Sequence, residues 1–142
     1  MKDRLLKLLK NSYSPYSKFR VSSIVVLKDG KSYGGVNIEN SSYGATVCAE
    51  RVAIFKAVSE GYRKGDFKKL YVMCDSPKIS SSCFMCRQVI CEFFKPDDEI
   101  IFMNNLGEEE RHKVSEVCPY PFDNDDLEEA KKWKDEEIRK GV

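Results

Sequence analysis

The chain has 142 residues, room for one domain with a real core, and its 24 Lys and Arg nearly cancel its 23 Asp and Glu, for a formal charge of +1. That balance supplies no broad field for nucleic acid or an anionic membrane and favours a small, weakly charged ligand. No apolar run approaches the roughly 20 residues that span a bilayer, and Lys7 interrupts the N-terminal leucines where an export signal would stay apolar, so the expected setting is the cytoplasm.

Leu5, Leu6, Leu8 and Leu9 lie among charges at a spacing that predicts a short surface helix over about 3–10, ended by Asn11 and Pro15. Residues 19–27 are rich in Val, Ile and Phe, Lys28-Asp29-Gly30-Lys31 is a hairpin turn, and Tyr33–Ile38 reads as the return strand. Ala49–Ser59 is apolar over most of its circumference, which predicts a buried helix stopped at Gly61. A strand over Lys69–Cys74 follows, then a helix after Cys83 with Val89, Ile90, Phe93 and Phe94 turned inward, ended by Pro96. Glu99–Met103 is the next strand, with a turn near Gly107, and the charged run Glu108–Lys113 around His112 reads as solvated. From about 124 to 140 the chain turns from acidic to basic as a terminal helix does, solvated except around Leu127 and Trp133. The middle order β-α-β-α-β argues for an α/β domain with crossovers between parallel strands, made mixed by the opening hairpin.

Six cysteines without an export signal point to metal or redox chemistry more than to a disulfide framework. Cys83-Phe84-Met85-Cys86 can present both sulfurs on one face of a first helical turn, and Cys48 opens the other helix. Three thiolates at Cys48, Cys83 and Cys86 would hold one zinc and leave its fourth position to water, the mark of a catalytic site. Helix N-termini favour the thiolate form. Cys74, Cys91 and Cys118 are left as small buried hydrophobes. A sealed structural site would instead need a fourth ligand from His112, Cys74, Cys91 or Cys118, and a Cys-x-x-Cys alone also suits redox work. Three thiolates on a dication leave about −1 of charge, for which Arg51 is the candidate counterion. Glu50 is the candidate proton carrier. Cysteine-x-glutamate followed by Cys-x-x-Cys is the pattern of the zinc deaminases, in which the glutamate moves protons without binding the metal.

The chain resembles the cytidine deaminase family, in its small three-cysteine form acting on free nucleosides. The resemblance runs from about Tyr13 to Phe122 through Pro15-Tyr16-Ser17-Lys18-Phe19, Gly35-Val36-Asn37-Ile38-Glu39-Asn40, Cys48-Ala49-Glu50-Arg51, Cys86-Arg87-Gln88-Val89-Ile90, and Pro119 with Phe122. It implies a three-layer α/β/α sandwich with a mixed five-stranded sheet, one zinc per chain, and a homotetramer with shared active sites. The implied reaction is hydrolysis of cytidine and 2′-deoxycytidine to the uridine products, in pyrimidine salvage. It further implies that Asn37 and Glu39 bind ribose hydroxyls, that Phe19 and Ala49 contact the nucleoside, that Tyr43 reaches a site across the subunit boundary, and that Phe122 covers the base from a neighbouring subunit. Family members carry Pro before and Gly after the second zinc cysteine; here stand Ser82, expected to cap the helix, and Phe84, expected to alter the pocket wall. Another aminated nucleoside, such as an antibiotic nucleoside, and a non-catalytic zinc module are the competing readings.

Overall fold

In the computed structural model, which describes residues 1–141, the elements run α1 (Lys2–Leu9), β1 (Val21–Leu27), β2 (Ser32–Val36), α2 (Ala49–Ser59), β3 (Phe67–Cys74), α3 (Phe84–Phe93), β4 (Glu99–Met103), β5 (Glu109–Lys113), α4 (Val114–Val117) and α5 (Asn124–Arg139). The strands form one sheet in the order β2-β1-β3-β4-β5. Strand β1 is antiparallel to both β2 and β3, β3 is parallel to β4, and β5 is antiparallel to β4. The mixed five-stranded sheet is therefore as expected. Its co-directional strands are β2, β3 and β4, with β1 inserted against them.

Period-two alternation sends Leu70, Val72, Ile100 and Phe102 to one face, where they pack with Ala53, Ile54 and Ala57 of α2 and Ile90 and Cys91 of α3. Met73, Ile101 and Met103 go to the other, under Leu5 and Leu9 of α1. Helices on both faces give the three layers. They also explain why β3 and β4 read as nearly continuous apolar runs, since neither face meets water. Cys74, Cys91 and Cys118 are buried, as expected. Within α2 the buried set is Ala49, Glu50, Ala53, Ile54 and Ala57, while Phe55 is partly exposed.

Along the sheet the structure adds to the sequence reading at β5 and shortens it at β2. Glu109–Lys113 is solvated as expected, but it also forms the edge strand β5, which the sequence reading did not assign. Its side chains face solvent on nearly every position, so alternation is absent, and its backbone pairing with β4 alone makes it a strand. Charges on such an edge discourage pairing with another chain. The return strand leaves the sheet after Val36 instead of Ile38, which makes isolated bridges to Tyr13 and Val47. Asn37 and Glu39 are thereby freed from the ladder. Helix α5 begins with a capping box at Asp123 and Asp126 and buries none of its residues. Among the described residues no helix is long and apolar enough to cross a membrane.

Candidate active site

Cys48 and Cys83 are the N-caps of α2 and α3, both in extended backbone conformation. Their carbonyls accept the first helical hydrogen bonds, from Val52 N at 3.2 Å and Arg87 N at 3.0 Å. Because Cys48 is not yet helical, its side chain and that of Glu50 face the same cavity, although two residues inside a regular helix would diverge. Cys86, at the third helical position, is fully buried and sends its backbone N–H to the Cys83 sulfur at 3.5 Å. The cap is thus Cys83 and not Ser82, a correction to the expected role of that serine.

The sulfurs of Cys48, Cys83 and Cys86 lie within 4.8 Å of one another, and no fourth ligand joins them among the described residues. Cys48 and Cys83 are 3.8 Å apart. A tetrahedral zinc with Zn–S bonds of about 2.3 Å requires sulfurs about 3.8 Å apart, so the donor set fits that ion by type and by spacing. His112 lies elsewhere, bracketed by Glu116 at 3.2 Å and Glu110 at 3.4 Å.

One thiol of the cluster ionises easily. Hydrogen bonding from Cys86, joined by Arg51 and Cys83 and opposed by burial, draws Cys48 down to about 5. Cys86 moves the other way, because it is the hydrogen-bond donor to that thiolate and is itself desolvated. Arg51 Nη2 stands 3.8 Å from the Cys48 sulfur and 3.3 Å from Thr46 O, so the guanidinium is where thiolate charge accumulates. Glu50 is 4% exposed. Burial pushes its carboxyl above the ordinary range, and a hydrogen bond from Ser82 works against that rise.

A cavity of about 570 Å³ adjoins the cluster, and its walls include Phe19, Asn37, Glu39, Tyr43, Cys48, Glu50 and Cys83. Phe19, Asn37 and Glu39 therefore meet Cys48, Cys83 and Glu50 in one space, and Tyr43, expected to reach across subunits, lines the cavity of its own chain. Ala49 is buried in the first turn of α2 and is not among the cavity walls. Phe122 is also outside the cavity of its own chain, 59% exposed, with its carbonyl accepting from Gln88 Nε2 at 2.8 Å. Phe84 does not alter the pocket wall as expected. It is 79% exposed and its ring lies under the Arg87 guanidinium at 4.4 Å.

Asn37 and Glu39 are anchored before any ligand arrives. Asn37 Oδ1 accepts from Val21 N at 2.8 Å and from Ser12 Oγ, and its Nδ2 donates to Phe19 O at 2.8 Å. Glu39 accepts from Tyr16 N at 3.1 Å and from both the N–H and the hydroxyl of Ser17. The Ser17 hydroxyl is the main reason the Glu39 carboxyl sits below its usual range. Sequence reasoning did not single out Ser17, Thr46, Ser80 or Ser81 as cavity residues; only Ser17 carried a signal, inside the Pro15–Phe19 motif.

Three clustered thiols able to hold one metal ion, beside a separate buried carboxylate, are the arrangement of the zinc-dependent deaminases. The family described as the cytidine and deoxycytidylate deaminase zinc-binding region matches residues 1–103. A cytidine deaminase of Sporosarcina psychrophila is 44% identical over 124 residues, 87% of this chain and 90% of the relative. One from Halalkalibacterium halodurans is 41% identical over 116 residues, 82% and 86% of the two chains. The crystal structure of a cytidine deaminase from Burkholderia pseudomallei superposes with a TM-score of 0.81 at 36% identity, covering 84% of this chain and 94% of that one. The chain belongs to the cytidine and deoxycytidylate deaminase family, whose members bind zinc.

Proposed function

We propose that the protein hydrolyses cytidine and 2′-deoxycytidine to uridine and 2′-deoxyuridine with release of ammonia, as a cytoplasmic enzyme of pyrimidine salvage. The observation that carries this reading is the 3.8 Å approach of the Cys48 and Cys83 sulfurs in the wall of the cavity that Glu50 also lines. In the proposed assignment Cys48, Cys83 and Cys86 hold zinc, and Arg51 offsets their charge. Bound zinc would supply the Lewis acidity that makes a water nucleophilic near neutral pH. Glu50 takes a proton from the attacking water, delivers one to N3 of the pyrimidine, and passes the next to the amine. The C4–O bond forms, the proton that goes to the amine comes from the new C4 hydroxyl, and as the C4–N bond breaks ammonia leaves with that one proton while the first stays on N3 of the uridine. A dry carboxylate is suited to this shuttle, since burial brings its proton affinity towards that of its partners.

Asn37 uses three of its four hydrogen-bonding capacities on Val21, Ser12 and Phe19, which leaves one N–H for a ribose hydroxyl. Glu39, held ionised, is the complementary acceptor. Phe19 and Tyr43 wall the nucleoside, and Ala49 contributes through its backbone at the start of α2. Phe122 covers the base of a neighbouring subunit in a homotetramer, which fits its exposed place outside its own cavity. The whole chain acts as one catalytic domain.

The test is to incubate purified protein with cytidine, deoxycytidine, cytosine and adenosine, follow the ultraviolet change on deamination, and measure zinc per chain. Turnover of the two cytidine nucleosides with about one zinc per chain is the expected result. No change with any of the four removes the reading.

A further inference from the structure

Residue 82 breaks the family pattern, and the side chain that replaces the usual proline does something a proline cannot. Ser82 Oγ donates to Glu50 Oε1 at 2.6 Å, with both residues buried. The serine is itself held in place: Arg87 Nε donates to Ser82 O at 2.8 Å, and the other guanidinium nitrogens reach Val117 O at 2.9 Å and Ser81 Oγ at 2.8 Å. One end of the Glu50 carboxylate is therefore tied to the loop that carries Cys83.

We infer that Ser82 is a positioning residue for Glu50, fixing the carboxylate by its Oε1 so that Oε2 is the oxygen that moves protons. The inference rests on the proposed deaminase reading. Two geometric facts argue for it. A carboxylate has two oxygens, and a short hydrogen bond to one selects a rotamer and leaves the other free. Ser82 and Glu50 also come from the two segments that supply the cysteines, so the bond ties the proton carrier to the metal loop rather than to α2 alone. Proton transfer demands that the carrier stay within hydrogen-bond reach of water and base, and a carboxylate swinging about its terminal torsions would spend much of its time out of reach. Arg87 clamps the backbone that presents the hydroxyl, which explains why an arginine with three internal hydrogen bonds stands so near the site.

The test compares the wild-type protein with Ser82→Ala and Ser82→Thr. Ser82→Ala is expected to lower kcat about tenfold, equivalent to about 1.4 kcal/mol in the barrier, with KM for cytidine, the Kd for the product uridine and the zinc content all unchanged. Ser82→Thr restores the hydroxyl and is expected to regain kcat to within about twofold (about 0.4 kcal/mol). A kcat for Ser82→Ala equal to wild type overturns the assignment while leaving the deaminase reading standing. So does a Ser82→Ala protein that loses zinc or uridine binding together with activity, because the role is then structural. A folded, zinc-loaded Ser82→Thr protein no more active than Ser82→Ala overturns it as well; if threonine fails to fold, the unchanged KM, uridine Kd and zinc of Ser82→Ala decide alone. An inactive wild-type protein overturns both readings together.

Discussion

Gly35 couples the packing of the sheet to the geometry of the site, and replacing it with alanine should damage both. A Cβ built there would lie 2.6 Å from Ala53 N, 2.7 Å from Ala49 O and 2.9 Å from Val52 Cβ. Ordinary heavy-atom contacts begin near 3.5 Å, so β2 and α2 must separate by about 1 Å. The nearest obstacles are backbone atoms of α2, which cannot turn aside as a side chain can. Overpacking of this kind costs about 1–3 kcal/mol, which for a chain of this size lowers Tm by a few degrees to about 10 °C. Either element can yield, since β2 is an edge strand paired only with β1. The result at the site is the same. Strand β2 leads directly to Asn37 and Glu39, whereas α2 carries Cys48 and Glu50, so any separation changes the distance from the proposed sugar contacts to the proposed proton carrier. A misplacement of about 1 Å can cost about 100-fold in rate. The assay is thermal unfolding of zinc-loaded Gly35→Ala alongside kcat/KM for cytidine. Wild-type values of both would refute the argument that backbone contact at Gly35 sets the cavity.

Other substitutions and conditions separate the parts of the site. Glu50→Gln should keep one zinc per chain and lose about 10²–10⁴ of kcat; retained turnover would remove Glu50 from the chemistry. Glu39→Gln should raise KM for cytidine about 10- to 100-fold, the worth of a hydrogen bond to a charged acceptor, with a smaller change in kcat, measured by steady-state kinetics. Acid should strip the metal in a defined window. Cys48 is drawn from 9.0 to about 5, so the advantage of its thiolate is complete above the ordinary value, shrinks as pH falls, and is gone below about 5. Zinc retained after dialysis at stepped pH should therefore persist at pH 7 and decline through about 5 or lower, because the metal depresses the thiol further; zinc lost at pH 7 would contradict the assigned ligands.

The elements with strong periodicity were legible in the sequence. Helix α2 and strand β4 fall at the expected residues because an all-round apolar helix and a doubly buried strand leave little ambiguity. Strand β5 was not legible, since Glu109-Glu110-Arg111-His112-Lys113 has no apolar face and becomes a strand only by pairing with β4. At the site, cysteine spacing and the neighbouring glutamate were enough to choose three sulfurs out of six. The roles of Ser82 and Phe84 were not readable, because they depend on approach between distant segments. The Ser82 hydroxyl points at Glu50 only because two helix starts meet, and Phe84 turns outward under Arg87, whose nitrogens are fixed by Ser81, Ser82 and Val117. The prior commitment of the Asn37 amide to Val21 and Phe19 was equally invisible, as it required knowing where β2 leaves the sheet.

The insertion of β1 gives the site its dimensions. Helices α2 and α3 begin beyond the carboxyl ends of β2 and β3, which run in the same direction, so both N-termini open at one edge of the sheet, where ligands of α/β proteins bind. If β2 and β3 were adjacent, their spacing of about 4.8 Å would be too small for a helix over each. With one strand between, the spacing of about 10 Å matches the 8–10 Å at which helices pack. Two N-cap side chains reaching inwards across that distance can then meet, as the sulfurs of Cys48 and Cys83 do at 3.8 Å. Both helix dipoles point their positive ends at the same place and favour thiolates there, and Arg51 adds a full charge beside Cys48. A cluster of like-charged sulfurs is tolerable under those conditions only with a cation at its centre. The hairpin that made the sheet mixed is therefore what spaces two ordinary helix starts into a metal site.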